Sequence, residues 1–119
     1  MDFENAQLLE WLETASPEDM NGLPFGVVRT DLQVKVTHYS RWESQFSGLE
    51  SAGVVGRNFF TDVAPCSNNY LIAHVFTEPG AIEKSLDYVF TYKLRPTRVQ
   101  LRLLRAEGSE HQYLAVRLR

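Results

Sequence analysis

The stretch Leu86-Asp87-Tyr88-Val89-Phe90-Thr91-Tyr92-Lys93-Leu94-Arg95 alternates with a period of two. Leu86, Tyr88, Phe90, Tyr92 and Leu94 fall on one side, and Asp87, Thr91, Lys93 and Arg95 on the other. Successive side chains of a strand point to opposite faces, so this pattern describes a strand with one packed face and one polar face. The run from Thr97 to Arg105 repeats it, with Val99, Leu101 and Leu103 opposite Arg98, Gln100 and Arg102. Gly108 marks a turn, and His111 to Arg119 supplies a further strand. Consecutive strands joined by short turns predict an antiparallel sheet.

Toward the N-terminus, Pro24 to Thr30 (PFGVVRT) and Leu32 to His38 (LQVKVTH) are β-branched and alternate in part, which reads as a hairpin. Helical segments are expected between this hairpin and the last strands. One runs from Tyr39 to about Gly48, and a short turn or helix covers Ser51 to Gly56. A longer helix is expected in Ser67 to Pro79, where Leu71 and Val75, and Ile72 and Phe76, recur at spacing four. At the start of the chain, Leu8, Trp11 and Leu12 fall at helical spacing. Ser16-Pro17-Glu18-Asp19 then opens a second helix, with serine as cap and proline at the first position, and Asn21-Gly22 stops it. The expectation is one α+β domain: a five-stranded antiparallel sheet flanked by short helices over residues 24–119, with an N-terminal helical cap over residues 1–23.

Composition narrows the function classes. A chain of 119 residues suits one core, and 44% hydrophobic residues argue against disorder. A net charge of −3 leaves no electrostatic footprint for nucleic acid. No apolar run reaches the roughly 18 residues of a membrane helix, and the acidic start MDFENAQLLEWLE does not read as a secretory signal. A single cysteine permits no internal disulfide and suits the cytoplasm. That cysteine and the scattered His38, His74 and His111 give no metal-ligand spacing.

Two places carry candidate chemistry. Cys66 follows Pro65 and precedes Ser67-Asn68-Asn69, a turn or cap sequence, and a cysteine at a helix N-terminus gains thiolate character. Taken from its neighbours alone, it reads first as a buried structural thiol. Tyr39, Glu43 and Ser47 follow at spacings of four and share a face if the segment is helical, with Trp42 and Phe46 flanking the carboxyl group. A carboxyl group pressed among aromatics prefers its neutral form; a solvated helix face is the alternative. The stripe Tyr88, Phe90, Tyr92, Leu94 reads as sheet core, or as the lining of a pocket for a flat ligand.

The run Gly56-Arg57-Asn58-Phe59-Phe60-Thr61-Asp62-Val63-Ala64-Pro65-Cys66 resembles the chromophore-attachment block of the photoactive yellow protein (xanthopsin) family of PAS-type domains. Asn21-Gly22-Leu23-Pro24-Phe25-Gly26 resembles that family's entry into its first strand, and Asp87 to Thr97 its later strand. The resemblance implies a blue-light receptor rather than an enzyme. Cys66 would carry p-coumaric acid (4-hydroxycinnamic acid) as a thioester, and its backbone N–H would hold the thioester carbonyl. Tyr39 and Glu43 would hydrogen-bond the phenolate oxygen, with Ser47 supporting Tyr39. Phe90 would pack against the ring and Pro65 would set the approach of the tail. Leu49 stands where the family has a covering arginine, and Leu94 where it has a methionine that speeds dark recovery, so slow recovery is expected. The implied signal is release of the N-terminal cap to a downstream signalling protein. Nucleic acid and membrane are excluded as partners, and a monomer or weak dimer is expected. A pigment-free PAS-type ligand-binding or interaction module is the alternative reading, and a thiol enzyme using Cys66 a further one.

Overall fold

A computed structural model of the chain describes residues 1–92 and 95–119. Its centre is a five-stranded antiparallel sheet in the order β2-β1-β5-β4-β3. The strands are β1 (Gly26–Asp31), β2 (Val36–Tyr39), β3 (Ile82–Tyr92), β4 (Arg95–Arg105) and β5 (His111–Leu118). The hairpin β1–β2 joins the C-terminal meander through β1 and β5, from Gly26 opposite Val116 to Asp31 opposite His111. The two sequence-distant halves of the sheet are therefore closed by a tertiary pairing. Among the described residues, four short α-helices accompany the sheet: α1 (Leu8–Thr14), α2 (Pro17–Asn21), α3 (Arg41–Ser47) and α4 (Ser51–Val54).

Both faces of the sheet are covered. On one face Val28, Phe90, Val99, Leu101, Leu103, Leu114 and Val116 pack against Phe59, Phe60, Val63, Ile72, Val75 and Phe76 of the connecting segments. On the other, Val27, Leu104, Tyr113 and Ala115 pack against Phe3, Leu8, Leu12, Met20 and Leu23 of the N-terminal segment. Each large side chain buried there contributes about 1.5–3 kcal/mol. A capping box of Ser16 and Asp19 starts α2. Polar ties add to this seal. Arg102, buried under the cap, donates from Nη1 to the carbonyls of Phe3 (2.8 Å) and Asn5 (2.9 Å), and from Nη2 to Glu83 Oε1 (2.9 Å). Tyr113 donates to Glu13 Oε2 at 2.7 Å. The N-terminal segment thus packs over the second face of the sheet.

Four expectations are corrected. The longer helix in Ser67 to Pro79 does not form: turns lead into a single 3-10 turn, Val75–Thr77. Asn69 Oδ1 caps the N–H groups of Leu71 (2.9 Å) and Ile72 (3.2 Å) as at a helix start. The backbone bonds that follow run from His74 N to the Asn69 carbonyl (3.2 Å), five residues back, and from Val75, Phe76 and Thr77 N to carbonyls three residues back, so no α-helical ladder follows. Ile72, Val75 and Phe76 are buried, but Leu71 is exposed. Strand β2 begins at Val36 rather than Leu32, because Asp31 Oδ1 accepts from Gln33 N (2.9 Å) and Lys35 N (3.0 Å) and curls the chain through Val34 at φ 58°. Strand β3 begins at Ile82, ahead of Leu86, because the polar Glu83, Lys84 and Ser85 pair with β4 even though they lie exposed. Tyr39 ends β2 instead of opening the following helix.

Candidate functional site

The site is built around the corner where β2 passes into α3. Ser40 is the N-cap of α3: its Oγ accepts from Glu43 N at 3.4 Å and also from Val27 N at 3.0 Å. The spacing Ser40-x-x-Glu43 is that of a capping box, in which the glutamate would reach back to the cap's own N–H. Here that N–H donates to the Val27 carbonyl at 3.0 Å. The reciprocal arm is therefore occupied by β1, and the Glu43 carboxyl group is left to find another place.

It lies in the protein interior. Glu43 is fully buried, and neither carboxyl oxygen has a hydrogen-bond partner among the described residues. Burial pushes its pKa up from 4.5 to about 8. The start of a helix favours the anion, but desolvation outweighs it, and the group is held as a neutral acid with an unused donor. One helical turn on, buried Ser47 accepts from the Tyr39 hydroxyl at 2.8 Å. Tyr39 and Ser47 thus meet, although Tyr39 arrives from a strand: the turn at Ser40 brings it alongside the helix that carries Glu43 and Ser47 one turn apart. Trp42 and Phe46, half-buried on α3, stack with ring centres 5.2 Å apart.

The second half of the site is the segment Gly56 to Cys66. Asn58 Oδ1 accepts from Phe60 N (3.0 Å) and Thr61 N (3.1 Å) and starts a π-helical turn, Phe59–Val63, that buries Phe59, Phe60 and Val63. The chain then enters a single 3-10 turn, Pro65–Ser67, in place of the expected helix N-terminus. Pro65 is exposed and Cys66 is half-buried as a free thiol. Tyr88 of β3 donates to the Cys66 carbonyl at 2.6 Å, and Asn69 Nδ2 donates to the same oxygen at 3.2 Å. Tyr88 and Asn69 are themselves 2.5 Å apart. This clamp holds the cysteine's peptide against the sheet and leaves its sulfur free. Tyr88→Phe removes the shorter bond and is expected to cost about 1 kcal/mol, read as a lower urea midpoint with unchanged slope.

One core cluster joins these parts. Tyr39 and Phe90 lie within it, and Cys66, Leu49, Trp42, Phe46 and Tyr88 pack against it. Tyr88 and Phe90 meet edge to face at 5.5 Å. Leu49 is half-buried, with its N–H donating to Ser47 Oγ at 3.1 Å. Leu94 lies outside the described residues. Sequence reasoning missed Ser40, although the Ser-x-x-Glu spacing signals it, and it missed the Tyr88–Asn69 clamp. Asn69 carried a local turn signal, whereas nothing local marks Tyr88 as a partner of a carbonyl across the fold. Among the described residues no group of acidic, histidine or cysteine side chains could hold a metal, and no helix is long and apolar enough to cross a membrane.

A five-stranded antiparallel sheet with short helices and turns on one face and the N-terminal helical segment on the other has the architecture of a PAS-type domain. The fold matches that of a PAS domain from a two-component sensor histidine kinase, with a TM-score of 0.67 over 92% of this chain and 98% of that one, at 10% identity. A closer likeness is the photoactive yellow protein domain of the sensor histidine kinase Ppr from Rhodospirillum centenum, with a TM-score of 0.84 and 31% identity over 92% of this chain and 99% of that one. The photoactive yellow protein of Halochromatium salexigens is 32% identical across 98% of this chain and 91% of its own. No family model matches the chain. The chain belongs to the photoactive yellow protein family, and is a photoactive PAS-type sensor rather than an enzyme.

Proposed function

We propose that this protein is a blue-light photoreceptor that carries p-coumaric acid as a thioester on Cys66. The observation that carries the reading is Glu43: a buried neutral acid whose donor is unused, on the same short helix whose Ser47 accepts from the Tyr39 hydroxyl. An orphaned buried acid is costly unless a partner arrives, and a phenolate oxygen is the acceptor that two such hydroxyl donors suit. The residues present therefore fit the group. When bound, p-coumaric acid would supply absorption of blue light and a double bond that isomerises from trans to cis.

The chain's own residues do the rest. Cys66 Sγ would hold the acyl group, with the Tyr88–Asn69 clamp fixing its peptide, and the Cys66 N–H would serve as donor to the thioester carbonyl. Ser47 keeps the Tyr39 hydroxyl in place; both hydroxyls can donate or accept, so Tyr39 can turn its hydrogen toward an anion. Phe90 would pack against the ring, and Leu49 would contribute apolar cover where the family has a cation. After illumination Glu43 gives up the proton on its carboxyl oxygen and becomes a carboxylate in a dry site. Such a charge costs several kcal/mol, a large share of the roughly 5–15 kcal/mol that holds a domain together.

The strain has a short route to the cap. The N-cap Ser40 is bonded in both directions to Val27, whose side chain packs under the cap. Arg41 N, at the first turn of α3, donates to Asn21 Oδ1 of α2 at 3.0 Å. Residues 1–23 are accordingly the element released, and a downstream signalling protein reads the uncovered sheet. That one relative is a domain of a sensor histidine kinase supports such an arrangement.

The test mixes apoprotein with activated p-coumaric acid. A yellow product, acylated at Cys66 and bleached by blue light, is expected. Bleaching should speed amide exchange over residues 1–23, and dark return should be slow and hastened by Leu94→Met. A colourless, unreactive protein would overturn the reading in favour of a pigment-free module, and steady hydrolysis of the acyl donor would point to a thiol enzyme.

A further inference from the structure

Glycine at position 26 has no explanation in its own backbone. Gly48, Gly56, Gly80 and Gly108 adopt positive φ, which favours glycine, but Gly26 does not. It opens β1, is buried, and pairs with Val116 of β5 as any strand residue would. What distinguishes it is the space where a side chain would stand. A Cβ on Gly26 would lie 2.1 Å from Glu43 Oε2, 2.8 Å from Trp42 Cε3 and 3.1 Å from Trp42 Cζ3. Relaxed contacts between heavy atoms lie near about 3.5–4.0 Å, so the carboxyl group occupies the place of the missing methyl. The carboxyl cannot simply fold back, because the N–H of its helix cap is taken by Val27.

We infer that Gly26 is a positioning residue for the proton donor: the bare backbone of β1 is the shelf on which the Glu43 carboxyl group rests out of reach of water. The inference rests on the reading of Glu43 as proton donor, yet its geometry concerns the apoprotein alone. Any side chain at position 26 displaces the carboxyl from β1 and toward solvent, and the neutral acid is lost with it. Burial is the sole cause of the raised Glu43 pKa, so the titration of that carboxyl reports directly on whether the shelf is intact.

The experiment uses full-length apoprotein, so its outcome does not depend on pigment. Gly26→Ala is expected to lower Tm by roughly 4–12 °C, the range for overpacking a buried site in a domain of this size. The loss should be clearly smaller in an E43A background, while Gly53→Ala, with nothing within 4 Å of the new methyl, should cause none. Carbon-13 NMR of the Glu43 carboxyl should show its titration midpoint in G26A falling by at least about one pH unit toward the ordinary glutamate range. Equal losses in the two backgrounds, or an unchanged midpoint, would overturn the inference. If G26A alone does not fold, recovery of folded protein in G26A/E43D or G26A/E43A supports it, and failure of both overturns it. Failure of wild-type protein to take up pigment, with these couplings present, would instead refute only the photoreceptor reading.

Discussion

Glu43→Gln is expected to remove a loss of folding stability, of order a few kcal/mol, that the wild-type apoprotein shows as pH rises from about 4.5 to about 8. Below the lower value the folded and unfolded chains both hold the proton. Between the two the unfolded chain has released it and the folded chain has not, so unfolding is favoured by about 1.4 kcal/mol for each pH unit. Above the folded-state value both are ionised and the term is constant. His38 works the other way. Its pKa is lowered by burial and then by the Arg29 charge beside it, so it costs stability as pH falls below the ordinary histidine range. The difference between wild type and E43Q isolates Glu43. Urea unfolding at intervals from pH 5 to pH 8 measures it, and parallel curves for the two proteins would mean that Glu43 is not a buried neutral acid. In pigmented protein the same substitution is expected to move absorbance to longer wavelength. A neutral amide stabilises an anion less than an acid does, and it has no proton to give.

The second large effect is all or none. Cys66→Ala should take up no pigment when offered activated p-coumaric acid, whereas wild type should gain one acyl group by mass spectrometry. The sulfur–carbon bond forms as the bond to the leaving group breaks, and the thiol proton departs with that group; alanine has no atom that can do this. The fold should survive, with stability changed by less than about 1 kcal/mol, because Cys66 is half-buried and the bonds from Tyr88 and Asn69 reach its carbonyl rather than its side chain. Uptake of the same mass by C66A would place the attachment elsewhere and remove the cysteine from the mechanism.

Much of the sheet was legible because its alternation is local. Phe90, Val99, Leu101 and Leu103 were placed on the packed face by period alone, and all are buried. The Ser16 cap and Pro17 start of α2 followed from the same kind of short-range rule. The segment Ser67 to Pro79 misled because its spacing of four is a side-chain pattern, while the backbone there closes a bond five residues back at His74 and then three residues back from Val75 to Thr77. For the candidate site, spacing brought Glu43 and Ser47 to one face, and the resemblance supplied the reason to look at Cys66. Arg102 read as a charge on the outward face of a strand; the cap folding over it turned it into a buried anchor.

The order of residues alone therefore determined the packed faces of the C-terminal strands, the start of α2 and the placing of Glu43 and Ser47 on one helix face, since each depends on neighbours a few positions away. Only the tertiary structure decided that Glu43 is neutral and unpartnered, that Tyr88 holds the peptide of Cys66, and that Gly26 leaves room for a carboxyl group. Those properties belong to distances between β1, β3, α3 and the attachment turn, and burial, which sets the charge of Glu43, exists only after those elements have closed around it.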